Sequence, residues 1–155
     1  MNVLFVCLGN TCRSPMAEGI LKKKFHERNL KGHIDSAGFE PFNINDPPNP
    51  KAVEVALKYG VDLQNKKSRL FREEDFDRYD RIYVMDIQNM TEALRLCRNE
   101  TDSNKLDFLM NLIEPGKNIP IADPFKQGFD TYEKTFLLME EACEILVNDI
   151  ISSNR

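Results

Sequence analysis

The chain has 155 residues, 30% of them charged, and a net charge of −4 at neutral pH. That length suits one domain with a sheet covered on both faces, read as spanning residues 1–155, and dispersed basic residues on an acidic chain argue against a nucleic-acid partner. The apolar stretch at the start is too short for a signal peptide or a membrane span and has no basic region before it, so a cytoplasmic protein with no membrane partner is expected.

Residues 2–6, Asn2-Val3-Leu4-Phe5-Val6, read as a buried strand. It runs into Cys7-Leu8-Gly9-Asn10-Thr11-Cys12-Arg13-Ser14-Pro15. Gly9 permits close backbone approach or a positive φ, and Ser14 followed by Pro15 reads as the N-cap and first position of a helix. Met16, Ala17, Ile20, Leu21 and Phe25 give that helix its apolar face, with Lys22, Lys23 and Lys24 as its solvated side. Residues 34–38 form a short second strand leading into a stiff proline-rich loop, 39–50, where Phe39 reads equally well as a core side chain. Pro50 opens a helix carrying Ala52, Val53, Ala56 and Leu57, closed by Gly60. Residues 81–85 give a third strand ending at Asp86, 89–97 a helix, and 106–110 a fourth strand. A final helix over 131–151 has Phe136, Leu137, Met139, Ala142, Cys143, Leu146 and Ile150 on or near its apolar face. The sum is a small α/β domain with a mainly parallel sheet, whose ligand lies beyond the strands' carboxyl ends.

The segment after the first strand carries the chemistry. A thiolate that attacks phosphorus needs backbone N–H groups wrapped around a phosphoryl dianion and a helix N-terminus facing it. It also needs a guanidinium gripping two oxygens, and Arg13 stands six positions after Cys7. The other three cysteines lack this partner, since Glu18, Ser103 and Asp149 stand at the same offset. The plainer reading is a buried cysteine before an ordinary strand-to-helix turn. Asp123-Pro124 can hold a carboxyl out into a cleft, although Asp-Pro also serves simply as a turn former. Cys97 and Cys143 sit in helical patterns as core residues. With only His26 and His33, neither beside a cysteine cluster, no metal site is expected, and the chemistry should need no cofactor.

Over nearly its full length the chain resembles the low molecular weight protein tyrosine phosphatases. The likeness rests on Val6 through Pro15, Asp35-Ser36-Ala37-Gly38, Pro47-Pro48, Met85-Asp86 and Asp123-Pro124-Phe125. It implies a four-stranded parallel sheet flanked by helices. It implies Cys7 as the nucleophile forming a cysteinyl-phosphate, Arg13 as the phosphate clamp and Asp123 as the general acid. Leu8, Gly9, Asn10, Thr11, Cys12 and Ser14 complete the phosphate loop, with Asn10 and Ser14 ordering it and the serine hydroxyl stabilising the thiolate. Cys12 matches a redox partner able to form a protective disulfide with Cys7, and Phe42 and Phe125 match the cleft walls. The implied partners are phosphorylated protein substrates, with the enzyme a monomer or weak homodimer.

Four places depart from the family pattern. Phe42 stands where many relatives carry Trp or Tyr, and Asn49 and Lys51 stand where an Asp and an Arg are usual. Phe125-Lys126 replaces a tyrosine pair that eukaryotic relatives use for regulation by phosphorylation. Thr11 replaces the usual Ile and resembles the protein-arginine phosphatases of the same family. The leading expectation is therefore a phosphotyrosine phosphatase, the alternative a phosphoarginine phosphatase with the same mechanism. An arsenate reductase would need two further cysteines close in sequence, and Cys97 and Cys143 are 46 apart. A non-catalytic phosphate or redox sensor would have no use for Asp123.

Overall fold

The computed structural model describes residues 1–154. Four parallel strands, β1 (Val3–Val6), β2 (Ile34–Ala37), β3 (Arg81–Val84) and β4 (Leu106–Phe108), form one sheet in the order β2-β1-β3-β4. The order places β1 in the interior of the sheet, and all four of its residues are fully buried, which accounts for its unbroken apolar run. Val3 pairs with Ile34 on one side and Arg81 on the other, and Val6 with Ala37 and Val84. β1, β2 and β3 therefore end level, and the loops that follow them meet above one edge.

Alternation along β1 divides the core. Val3 and Phe5 face α1 (Arg13–Glu27), α2 (Pro50–Lys58) and α6 (Phe129–Ser153). Leu4 and Val6 face the other side, with Phe76 of α3 (Asp75–Arg78) and Ala93 of α4 (Ile87–Arg95). A further short helix, α5 (Glu100–Ser103), precedes β4, and single 3-10 turns follow β2 (Pro41–Asn43) and β4 (Leu109–Leu112). Among the described residues no helix is long and apolar enough to cross a membrane.

Several boundaries differ from the sequence expectation. α1 begins at Arg13 with Cys12 at its N-cap and no side chain capping it, so Ser14 is not the cap and Pro15 lies inside the first turn. The Ser14 hydroxyl is occupied elsewhere, as described below. α4 starts at Ile87, earlier than periodicity suggested, because the Asp86 side chain accepts from the Asn89 N–H at 2.9 Å. β4 ends at Phe108, the partner of Val84 at the end of β3, and the chain turns there. In α2 the buried positions are Ala52, Val55 and Ala56, while Leu57 is exposed; in α6, Leu137 is exposed. Lys24 departs from its solvated neighbours: its ammonium is buried between Glu140 (2.6 Å) and Glu144 (2.7 Å), tying α1 to α6. Cys143 is a core residue, whereas Cys97 is only partly buried.

Candidate active site

The loop of residues 7–14 leaves the carboxyl end of β1 and closes on the start of α1. Asn10 takes a left-handed backbone (φ 55°), a conformation asparagine tolerates better than most residues. Gly9 needs no positive φ: a Cβ there would stand 2.9 Å from the side-chain amide nitrogen of Asn43, which would have to move aside. Gly38, just after β2, is bound more tightly still. A Cβ on it would meet the Leu8 carbonyl oxygen at 2.8 Å and the Asn10 backbone nitrogen at 3.0 Å.

Neighbouring segments grip this loop by its carbonyls. Leu8 O accepts from the N–H of Phe39 (2.8 Å) and Glu40 (3.2 Å), and Thr11 O accepts from the N–H of Asn49 (2.8 Å). Among the described residues no N–H of residues 8–14 donates a hydrogen bond to the protein. A tight turn held by the carbonyls of Leu8 and Thr11, with its N–H groups free, can cradle an anion, strengthened here by the positive end of α1.

The buried Cys7 sulfur lies 2.9 Å from the Ser14 hydroxyl oxygen. That oxygen accepts from Asn10 Nδ2 (2.8 Å), so its own proton is shared between the sulfur at 2.9 Å and the Ala37 carbonyl at a long 3.5 Å. Asn10 Nδ2 also donates to Ser36 Oγ (2.8 Å), which donates to Glu18 Oε1 (2.6 Å), while Asn10 Oδ1 accepts from the Arg69 N–H (3.0 Å). Lys66 holds Glu18 (3.1 Å) and Asp35 (2.8 Å), and Arg69 joins Asp35 (2.8 Å) to Asp75 (3.0 Å). A chain of charges beneath the loop thus ends on the serine beside the sulfur.

Arg13 is only 2% exposed. Its Nη1 donates to Asp86 Oδ2 (2.7 Å) and to the Ile121 carbonyl (2.8 Å), and its Nη2 lies 3.7 Å from Asp123. Burial works against this charge, yet Cys7, Asp86 and Asp123 outweigh it and keep the pKa above its ordinary value. Asp123 combines two of the readings its sequence left open. Its Oδ1 accepts from the Phe125 N–H (3.0 Å), a local turn, while Oδ2 is the atom facing Arg13.

Cys7, Arg13, Asp123, Phe42 and Phe125 line one cleft of about 190 Å³, with Leu8, Gly9, Thr11 and Cys12 at its floor. Phe42 is 78% and Phe125 53% exposed, whereas Phe39 packs edge-on against Phe71. Cys12 bonds the fully buried Tyr132 hydroxyl at 3.3 Å. Burial pushes the Cys12 thiol pKa up, and the bonds to Tyr132 and Thr11 offset this only in part. The Thr11 hydroxyl has just a long 3.9 Å contact to the Cys12 sulfur and otherwise borders the cleft. Lys51, where the family's usual Arg is missing, donates to the Gln127 carbonyl (2.6 Å) and so still braces the segment after Asp123.

Asp86, Ser36, Glu18 and Arg69 were not singled out as site residues by the sequence. For Asp86 a signal existed: an acidic residue directly after a strand parallel to β1 must end beside the nucleophile loop. Among the described residues no cluster able to hold a metal ion occurs.

Residues 2–154 match the family model described as low molecular weight phosphotyrosine protein phosphatase. A Bacillus subtilis relative, named a low molecular weight protein-tyrosine-phosphatase, is 33% identical over 97% of this chain and 96% of its own. The solved structure of a protein tyrosine phosphatase from Entamoeba histolytica superposes with a TM-score of 0.91 at 30% identity, covering 100% of this chain and 99% of its own. A Drosophila arginine phosphatase structure superposes at 0.88 and 33% identity, covering 97% and 98%.

Proposed function

The chain belongs to the low molecular weight phosphotyrosine protein phosphatase family, and we propose that it hydrolyses phosphotyrosine in proteins through a phosphocysteine at Cys7. The observation that carries this reading is the cleft itself, where a buried sulfur, free N–H groups, a fixed guanidinium and a carboxylate converge.

In the first step the Cys7 thiolate attacks phosphorus along the axis opposite the ester oxygen. An S–P bond forms, the P–O bond breaks, and Asp123 delivers its proton to the departing phenolate. Ser14, ordered by Asn10, steadies the sulfur's negative charge. Residues 8–14 surround the equatorial oxygens, and Arg13 meets two of them with Nε and Nη2, because Nη1 is already held by Asp86 and Ile121. In the second step Asp123 takes a proton from water as that water attacks phosphorus, the S–P bond breaks, and phosphate leaves. Phosphoryl transfer through a loose transition state asks mainly for this positioning and charge stabilisation. Phe42 and Phe125 form apolar walls that suit an aromatic leaving group. Burial raises the Cys12 thiol pKa, which leaves Cys7 as the nucleophile toward phosphorus, and the place of Cys12 in the loop supports a role as the thiol that captures an oxidised Cys7 as a disulfide.

Thr11 favours a second reading. Its hydroxyl borders the cleft without a strong partner, where a guanidinium N–H could find an acceptor, and a relative of this fold is named an arginine phosphatase. Specificity constants on one peptide bearing either phosphotyrosine or phosphoarginine separate the two. The leading reading predicts the higher constant on phosphotyrosine; a higher constant on phosphoarginine would establish the alternative.

A further inference from the structure

Three charged residues border the cleft, Arg13, Asp123 and Glu40, and the mechanism uses only the first two. Glu40 is half-buried, and among the described residues its side chain has no ion pair or hydrogen bond. Its backbone is fixed. The N–H donates to Leu8 O (3.2 Å), one residue from the nucleophile, and Pro41 holds it extended (φ −94°, ψ 106°). Phe42, the exposed wall, follows two residues later. The positive charge of Arg13 is already met by Asp86, and the Lys126 ammonium stands 6.0 Å from the Phe125 ring centroid without lining the cleft. A half-buried, unpaired carboxylate carried on a held backbone at a pocket for a dianion repels bare phosphate esters, and the repulsion is relieved when the substrate brings a cation between them.

We propose that Glu40 is a specificity-determining residue that selects phosphorylated side chains carrying a positive charge next to the phosphate. This rests on the phosphatase reading of the cleft. The cation has two possible sources with one chemistry: the guanidinium of a phosphorylated arginine, or an Arg or Lys side chain flanking a phosphotyrosine.

The test compares wild type and Glu40→Gln on four substrates: p-nitrophenyl phosphate, phosphotyrosine peptides with Arg or with Glu on both flanks, and a phosphoarginine peptide. Turnover of p-nitrophenyl phosphate, lost in Cys7→Ser, tests the underlying phosphatase reading separately, and its retention in Glu40→Gln reports that this variant is folded. In wild type the specificity constant for the basic-flanked peptide should exceed that for the acidic-flanked one by ~3–10-fold at low salt. The preference should shrink in high salt and fall towards parity in Glu40→Gln. A loss confined to the phosphoarginine peptide assigns the cation to the phosphorylated residue itself; a loss confined to the flank preference assigns it to a neighbour. If the wild-type enzyme turns over p-nitrophenyl phosphate and Glu40→Gln leaves every one of these ratios unchanged, the proposal is wrong.

Discussion

Arg13 and Asp123 each divide two tasks between the atoms of one side chain. Arg13 spends Nη1 on Asp86 and Ile121, so its planar fork is aimed before substrate arrives and little rotamer entropy is lost on binding. Asp123 spends Oδ1 on the Phe125 N–H, which fixes the plane of its carboxyl, and keeps Oδ2 toward the cleft. The division makes a clean substitution possible. Asp123→Asn keeps an oxygen for the turn and removes only the transferable proton. Turnover of phenyl phosphate should fall ~10²-fold or more, and that of p-nitrophenyl phosphate clearly less, because the better leaving group needs less protonation. Equal losses on both esters would make Asp123 a structural residue.

At the scale of elements, the nucleophile loop is held less by its own hydrogen bonds than by what surrounds it. β2 supplies Ser36 and Asp35, and the segment before α3 supplies Lys66 and Arg69, so the two are joined by charges directly under Asn10. Burial alone would raise the Asp35 pKa, but hydrogen bonds and charge from Lys66 and Arg69 outweigh it and hold the carboxyl well below the usual range. An unfolded aspartate titrates near pH ~3.9, so on acidification the unfolded chain takes up this proton first. The stabilisation is therefore fully present above that pH and is lost as pH falls toward the folded value. Asp35→Asn should cost the most stability at pH 7, and the gap to wild type in denaturant midpoint should narrow below pH ~4. A gap that stays constant across that range would mean that the Asp35 charge contributes nothing to the fold.

For the molecule as a whole, local pattern and long-range geometry were legible to different degrees. The strand positions, the loop after β1 and the helix opened by Pro50 follow from short-range periodicity and turn chemistry, and the structure has them all. The four-residue helices α3 and α5 are too short to show a helical period. Local pattern alone reads Ser14 as an N-cap, because a serine before a proline suits one; the family resemblance implied its place beside the nucleophile, and the fold brings a sulfur and an asparagine amide to its hydroxyl. Lys24 looked solvated for the same reason, since Glu140 and Glu144 lie more than a hundred residues away. Asp86 meets Arg13 only because β3 lies beside β1 in the sheet. The parallel sheet turns three separate pieces of sequence into one cleft, and the covalent use of Cys7 is what that cleft most directly implies. Rapid acid quench during turnover, followed by mass analysis of the peptide containing Cys7, tests it. Wild type should carry one added phosphoryl group on that peptide during turnover and lose it once substrate is exhausted. Steady turnover with that peptide never phosphorylated, or hydrolysis retained in Cys7→Ser, would contradict nucleophilic catalysis by Cys7.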